Sequence, residues 1–258
     1  LMDLLQKYPA LKSNKNLLWV FFRTLDDLQD KNCYLKWFLF LESELYQENN
    51  LYNGVHSWVL KKLIDFNFVS EFERALQCYL SIEFKPKLQF TVAEYDLNQL
   101  VIFIKSKHQF YNSTLRIFLK KLNDYEKYSQ LFCKNDFYTF LEKQEIWEKS
   151  DSYDSLNYHL VDGVLELFSE RKLTIVFRNE YAKQCLFSES ILLKRVGIYL
   201  LNNFSTYNAD FIYSLISLSV DWLKLEYRAE FFNFLERNYK KLSDARKSEI
   251  IVKVKNNE

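Results

Sequence analysis

The sequence predicts an all-α fold, an irregular stack of antiparallel helical hairpins that forms an α-solenoid. Three observations predict it. Helical periodicity recurs along nearly the whole chain, and two capping-box patterns precede apolar runs. Only three glycines (Gly54, Gly163, Gly197) and two prolines (Pro9, Pro86) interrupt the 258 residues. Tight β-turns and phosphate-binding loops lean on glycine for positive φ and close backbone approach. A chain this poor in glycine turns its corners with Asn, Asp and Ser, as helical proteins do.

The apolar stripes follow one another in order. Leu17, Leu18, Phe21, Phe22, Leu25 and Leu28 keep the spacing of one helix face, and so do Tyr34, Trp37, Phe38, Leu41 and Leu45. Val55, Trp58, Val59, Leu63 and Phe66 make a third stripe, and Phe72, Ala75, Leu76, Tyr79 and Leu80 a fourth. Ser70-x-x-Glu73 and Thr91-x-x-Glu94 read as capping boxes, in which hydroxyl and carboxylate satisfy orphan N–H groups. The second box precedes Ala93, Leu97, Leu100, Val101 and Ile104. Further stripes are Leu115/Phe118/Leu119/Leu122, Phe137/Phe140/Leu141/Trp147, Leu156/Leu160/Val164/Leu167 and Leu173/Val176/Phe177. Between Cys78 and Phe90, Pro86 forbids a helix interior, which leaves an inter-helix loop or a short strand.

Polar joints such as Asp30-Lys31-Asn32, Gln47-Glu48-Asn49-Asn50 and Lys149-Ser150-Asp151-Ser152 are short, which favours antiparallel neighbours. Helix pairs recur roughly every 40 residues, the range of HEAT and armadillo repeats. No Pro/Gly/Ser linker divides the chain, so residues 1–258 are expected to form a single helical-repeat unit.

The last third is the most telling. Residues 189–204 are apolar around most of a helix, with Lys194, Arg195, Asn202 and Asn203 on a narrow polar stripe. That is the pattern of a helix packed on two sides. Gly197 costs about 1 kcal/mol against Ala inside a helix, and close approach of a neighbouring helix is the expected compensation. Asn208 can cap the next helix, with Phe211, Ile212, Leu215, Ile216 and Trp222 inward. Phe231, Leu235, Tyr239 and Leu242 continue the stack, and Ser243 caps a final helix with Ile250, Ile251 and Val254 inward.

Composition narrows the function. Thirty-five basic residues face 34 acidic ones, a net charge of +1. Sequence-independent nucleic-acid binding draws on an excess of Lys and Arg, so a nucleic-acid partner is disfavoured. The mildly basic tail, nine Lys/Arg against six Asp/Glu from Leu223 onward, reads as a solvated helix face. Aromatic residues reach 18%, which reads as a Phe-rich core before it reads as a base-stacking surface. Cys33, Cys78, Cys133 and Cys185 lie far apart inside apolar helical patterns, with no zinc spacing. Buried thiols in a reducing, cytoplasmic compartment account for them. No run approaches the ~20 apolar residues of a membrane span. The chain opens on Leu1-Met2-Asp3-Leu4-Leu5, without a basic signal-peptide segment, and is expected to be a fragment of a longer protein.

Catalytic readings are few. His56, His108 and His159 have no ligand partner at helical spacing, so no metal is expected. Asp65 followed by Glu83-Phe84-Lys85 matches a metal-dependent nuclease triad in which two carboxylates hold the ion and a lysine orients water. That site needs Glu and Lys on a central strand beside the Asp, which a helical Asp65 does not supply. The nuclease-like or nucleic-acid-binding domain stands as the alternative. Acidic pairs such as Asp26-Asp27 and Glu42/Glu44 point away from the stripes. No nucleotide-binding glycine loop or nucleophile elbow occurs, so neither cofactor nor catalytic residue is assigned.

Leu192-Leu193-Lys194-Arg195-Val196-Gly197-Ile198-Tyr199-Leu200-Leu201, with Glu230-Phe231-Phe232-x-Phe234-Leu235-Glu236-x-x-Tyr239-x-x-Leu242-Ser243-x-x-x-Lys247, resembles the HEAT-like helical regions of large bacterial antiphage proteins. Those regions are typically fused to a sirtuin-type NADase, a nuclease or a STAND-type NTPase. The resemblance covers roughly residues 188–252, about a quarter of the chain, and rests on helix faces. It implies a region that senses a phage component or restrains the protein's own effector domain, with oligomerisation allowed through the full-length protein. The expected function is non-enzymatic protein–protein recognition. Trp, Tyr and Arg dominate binding hot spots, and tyrosines at helix ends or joints are the first contacts to consider. These are Tyr46, Tyr52, Tyr111, Tyr125, Tyr128, Tyr153, Tyr207 and Tyr227.

Overall fold

A computed structural model describes residues 2–12, 14–45, 55–84, 88–90, 94–132, 145–149, 156–170 and 172–256. Among the described residues the chain forms thirteen α-helices and one two-stranded ribbon. The fold is all-α, as the periodicity requires. Contacts cluster into two compact units, Leu1–Ile117 and Phe118–Glu258, with the boundary inside one helix. No helix of the described residues is long and apolar enough to cross a membrane.

The first unit holds α1 (Met2–Lys7), α2 (Lys15–Asp26), α3 (Lys31–Leu45), α4 (Val55–Asp65), α5 (Val69–Tyr79), α6 (Glu94–Lys105) and the start of α7 (Tyr111–Phe132). Its core is the sequence stripes brought together: Tyr34, Phe38 and Leu41, then Leu63, Phe72, Leu76, Leu97, Leu100 and Ile104, all buried. Asn14 and Asp30 cap α2 and α3 by accepting backbone N–H groups of the first turn. Asn67, at φ 63°, turns the joint between α4 and α5, a left-handed conformation that asparagine tolerates better than most residues.

Side-chain links in this unit join each helix to the one after next. Lys62 of α4 donates to the Asp26 carbonyl at the end of α2, and Lys61 of α4 lies 5.2 Å over the Phe103 ring of α6. Arg74 of α5 grips Glu42 of α3 at 2.7 Å, and Ser113 of α7 donates to Glu73 of α5. The alternate helices α2, α4 and α6 begin at Lys15, Val55 and Glu94, 40 and 39 residues apart, close to the spacing expected.

Two local expectations for this unit change. Phe68, not Ser70, precedes α5, so Ser70 and Glu73 form no capping box. Their side chains turn to neighbours instead: Ser70 accepts from Arg74 and Glu73 from Ser113. Thr91 of the second box lies outside the described residues. The segment after α5 is the short-strand alternative: β1 (Ile82–Phe84) pairs antiparallel with β2 (Leu88–Phe90). The alternation Ile82/Phe84 against Leu88/Phe90 suits a ribbon of period two.

The second unit holds the rest of α7 and then α8 (Leu156–Ser169), α9 (Ile175–Leu186), α10 (Ile191–Phe204), α11 (Ala209–Ser219), α12 (Leu225–Asn238) and α13 (Asp244–Lys255). The even-numbered helices begin at Leu156, Ile191 and Leu225, 35 and 34 residues apart. The odd-numbered ones begin at Ile175, Ala209 and Asp244, 34 and 35 apart. Each even helix of this set has 14 residues. The spacing here is shorter than the roughly 40 residues expected from the sequence.

Links again run from one helix to the one after next. Arg195 of α10 meets Glu230 of α12, and Asn202 meets Asn233 and Asn238 further along both helices, so the two run parallel. Asp210 accepts the Ser243 N–H, and Ser214 accepts from Arg246, which sets α13 beside α11 in the same sense. Gly197 allows the closest approach. A Cβ there would lie 2.4 Å from the Leu186 nitrogen, so the missing side chain lets α10 press on α9, as expected.

Asn208 caps α11 as expected, its Oδ1 accepting the Phe211 N–H at 2.8 Å. Ser243 does precede α13, but its side chain makes no cap hydrogen bond. Arg195 leaves the polar stripe assigned to it and is almost wholly buried, because Glu230 meets it there. Of the residues expected inward, Val176 on α9, Phe211 on α11, and Ile251 and Val254 on α13 are exposed, as is Tyr239 just after α12. In α13 the inward side is held by Arg246, which meets α11, and by Lys253, which meets Asp221 in the joint after it, and this leaves Ile250 alone in the core.

Candidate protein-binding face

The short segment Glu145–Lys149 lies against the even-numbered helices of the second unit and shapes the concave ground there. Ile146 is fully buried and anchors it. The Trp147 ring stacks on Tyr199 of α10 with centroids 5.6 Å apart and planes at 20°, an offset arrangement that suits two aromatic quadrupoles. Lys149 reaches Glu166 of α8 at 3.7 Å.

Trp147 separates two open clefts. One, of about 180 Å³, is lined by Trp147, Lys149, Asp162, Leu165, Glu166 and Tyr199 among others. The other, of about 400 Å³, is lined by Glu145, Trp147, Ala229, Phe232, Asn233 and Glu236. Large aromatics and carboxylates share both walls. Aromatic anchors flanked by charge are what protein partners exploit, and the acidic balance is unlike a phosphate-binding groove.

Two buried polar joints hold this ground rigid. Glu126 of α7 inserts its carboxylate at the start of α10, accepting from the Ser190 hydroxyl, from Ile191 N–H at 2.8 Å and from Leu192 N–H at 3.4 Å. Ser190 in turn accepts the Leu193 N–H at 3.0 Å, so one acid and one hydroxyl satisfy the orphan donors of that helix end. The Arg195–Glu230 pair then fixes α12 to α10, with Nε and Nη2 both donating to one carboxylate oxygen at 3.0 and 2.8 Å.

The eight tyrosines named from the sequence scatter. Tyr46, Tyr52 and Tyr153 lie outside the described residues. Tyr111 and Tyr227 do not reach outward. Tyr111 is 1% exposed and donates to the Lys105 carbonyl at 2.9 Å. Tyr227 is buried in α12, and burial, with the charges of Glu226 and Glu126, pushes its hydroxyl up to about 12. Tyr125 and Tyr128 sit within α7, which runs on to Phe132 without a joint; Tyr125 is half-buried and Tyr128 exposed. Tyr207 precedes α11, packs edge-on against the exposed Phe211 at 4.8 Å, and lies under Lys183. Its hydrogen bond is the main cause holding the Lys183 ammonium above the ordinary lysine value. No two of the described members lie together in either cleft.

Trp147, Tyr199 and Phe232 were missed as surface residues. Phe232 carried a legible signal, since it falls off the Phe231/Leu242 stripe. Trp147 did not, because it shares apparent helical spacing with Phe137, Phe140 and Leu141, which lie outside the described residues, while Trp147 itself sits in a turn.

The nuclease triad does not assemble among the described residues. Asp65 is exposed at the end of α4, Glu83 stands on β1 opposite Gln89, and Lys85 lies outside them. Of the histidines, His108 is exposed and His159 is buried on α8. No group of three or more His, Cys, Asp or Glu that could hold a metal occurs among the described residues. Comparison with protein-family models, with curated proteins and with solved structures gives no match.

Proposed function

We propose that this chain is a non-enzymatic helical-repeat region that recognises a protein partner, as sensor or regulatory scaffold of a larger bacterial antiviral defence protein. The observation that carries the reading is the linkage of each helix to the one after next, about 40 residues apart in the first unit and about 35 in the second. Such wiring supports an α-solenoid, whose layers touch only their neighbours and present long surfaces to partners. The clefts beside Trp147 add aromatic anchors and carboxylates to such a surface. The antiviral setting rests on the resemblance of residues 188–252, and it makes a phage component or the protein's own effector domain the partner.

The test begins with affinity capture on residues 1–258 from phage-infected and uninfected bacteria, followed by binding of the purified captured protein. Trp147→Ala and Tyr199→Ala are expected to weaken that binding about tenfold or more, the scale of an aromatic hot spot. Capture of nucleic acid with steep salt dependence, and of no protein, would overturn the reading.

A further inference from the structure

The three helix pairs of the second unit can be compared position by position. On α10, the stripe facing α12 carries Arg195, Ile198 and Asn202, with Arg195 and Ile198 buried. The same stripe on α8, 35 residues earlier, is Leu160, Gly163 and Leu167, and all three are buried. On α12, 34 residues later, it is Ala229, Phe232 and Glu236. Here Phe232 is 55% exposed, Leu225 at the head of the stripe 72%, and Glu236 is also exposed. Among the described residues, a face covered twice within this unit is open the third time.

The open stripe is complementary to itself. Counted from Phe232, Leu225 and Tyr239 lie seven residues to either side, Arg228 and Glu236 four, Ala229 and Leu235 three. Residues three, four and seven apart share one face of a helix. In an isologous contact each residue meets its mirror position. With Phe232 on the axis of two antiparallel α12 helices, Arg228 faces Glu236 of the other copy. The small Ala229 faces the larger Leu235, and Leu225 faces Tyr239. Both charged side chains are exposed and able to meet a second copy, Arg228 donating at 3.3 Å to the Leu223 carbonyl at its own helix start.

We propose that α12 is a homodimer interface, with two copies of this chain pairing antiparallel about Phe232. The proposal extends the stacking register to a second copy and does not rest on the partner reading above, although a second copy on Ala229, Phe232 and Glu236 would cover that wall of the larger cleft beside Trp147. A monomeric chain that still binds a foreign protein would fail this proposal alone.

Light scattering coupled to size-exclusion chromatography over a concentration series tests it on residues 1–258. The unmodified chain is expected to be a dimer. Arg228→Glu and Glu236→Arg each set like charges opposite one another, twice per dimer, and are expected to weaken association about tenfold or more. An equimolar mixture of the two variants restores both opposite-charge contacts and is expected to recover the dimer. So is the chain that carries both changes, whose dimerisation also shows that the substituted helix folds. Phe232→Ala is expected to weaken the dimer without altering the helical circular dichroism. A chain monomeric at every concentration, a dimer indifferent to these changes, or a mixture that fails to recover would each overturn the interface.

Discussion

Arg195 and Glu230 meet in the interior 2.8 Å apart, their side chains 3% and 0% exposed, and so fasten α10 to α12. Two charges removed from water cost several kcal/mol each unless they face one another, so the pair is worth most as a constraint on how the helices register. Removing one partner leaves the other charge buried. Glu230→Ala is therefore expected to destabilise the chain by roughly 3–5 kcal/mol. Replacing both with apolar residues of similar size, Arg195→Met with Glu230→Leu, is expected to cost much less. Urea titration of the single and double variants checks the inequality, and a double variant no better than the single would refute it.

The absent side chain at Gly197 is expected to be irreplaceable even by alanine. A Cβ would fall 2.4–2.8 Å from the backbone nitrogen, Cα and Cβ of Leu186, and backbone has little freedom to withdraw. Helix propensity alone favours Gly197→Ala by about 1 kcal/mol. Overpacking costs about 1–3 kcal/mol or more, and here it wins. Thermal melting decides the sign: a higher melting temperature for the alanine variant would mean that α9 and α10 do not approach so closely.

Glu126 is expected to behave as a structural acid. Glu126→Ala strips the acceptors from Ser190, Ile191 and Leu192 at a buried helix end, a loss of about 1–3 kcal/mol or more for donors left without partners. Amide hydrogen exchange should accelerate first in the opening turn of α10. Protection unchanged there in the variant would remove Glu126 from this role.

Acid should weaken the α11–α13 contact. The Ser243 N–H holds the Asp210 carboxyl below the ordinary aspartate range, and the Lys253 ammonium does the same for Asp221. A carboxylate depressed in the folded state stabilises above its unfolded value of about 3.9. That contribution is lost as pH falls through the depressed folded value. Asp210→Asn should therefore melt below the unmodified chain near neutral pH, with the difference closing as the solution is taken below about pH 4. A difference that grows on acidification would contradict the assignment.

The sequence by itself determined that this chain is helical and where most helices lie, because period and capping are local properties. The stripes through Phe72, Leu76, Leu97, Ile104 and Leu160 are buried as their spacing requires, and Asn208 caps α11 because its short amide side chain reaches the N–H three residues on. Even the close approach at Gly197 was legible, since a helix-weakening residue in an apolar helix needs a reason. Tertiary structure alone decided which polar side chains enter the core and which apolar ones stay outside. Arg195 is buried because Glu230 is 35 residues away in sequence and adjacent in space, a relation that no window of helical period contains. Tyr111 and Tyr227, at helix starts, turn inward because a neighbouring layer covers them, while Ile251 and Phe232 stay open because nothing in the described chain packs over them. The face beside Trp147 belongs to this second class. It exists only where a turn from one part of the chain comes to rest on helices that begin at residues 156, 191 and 225.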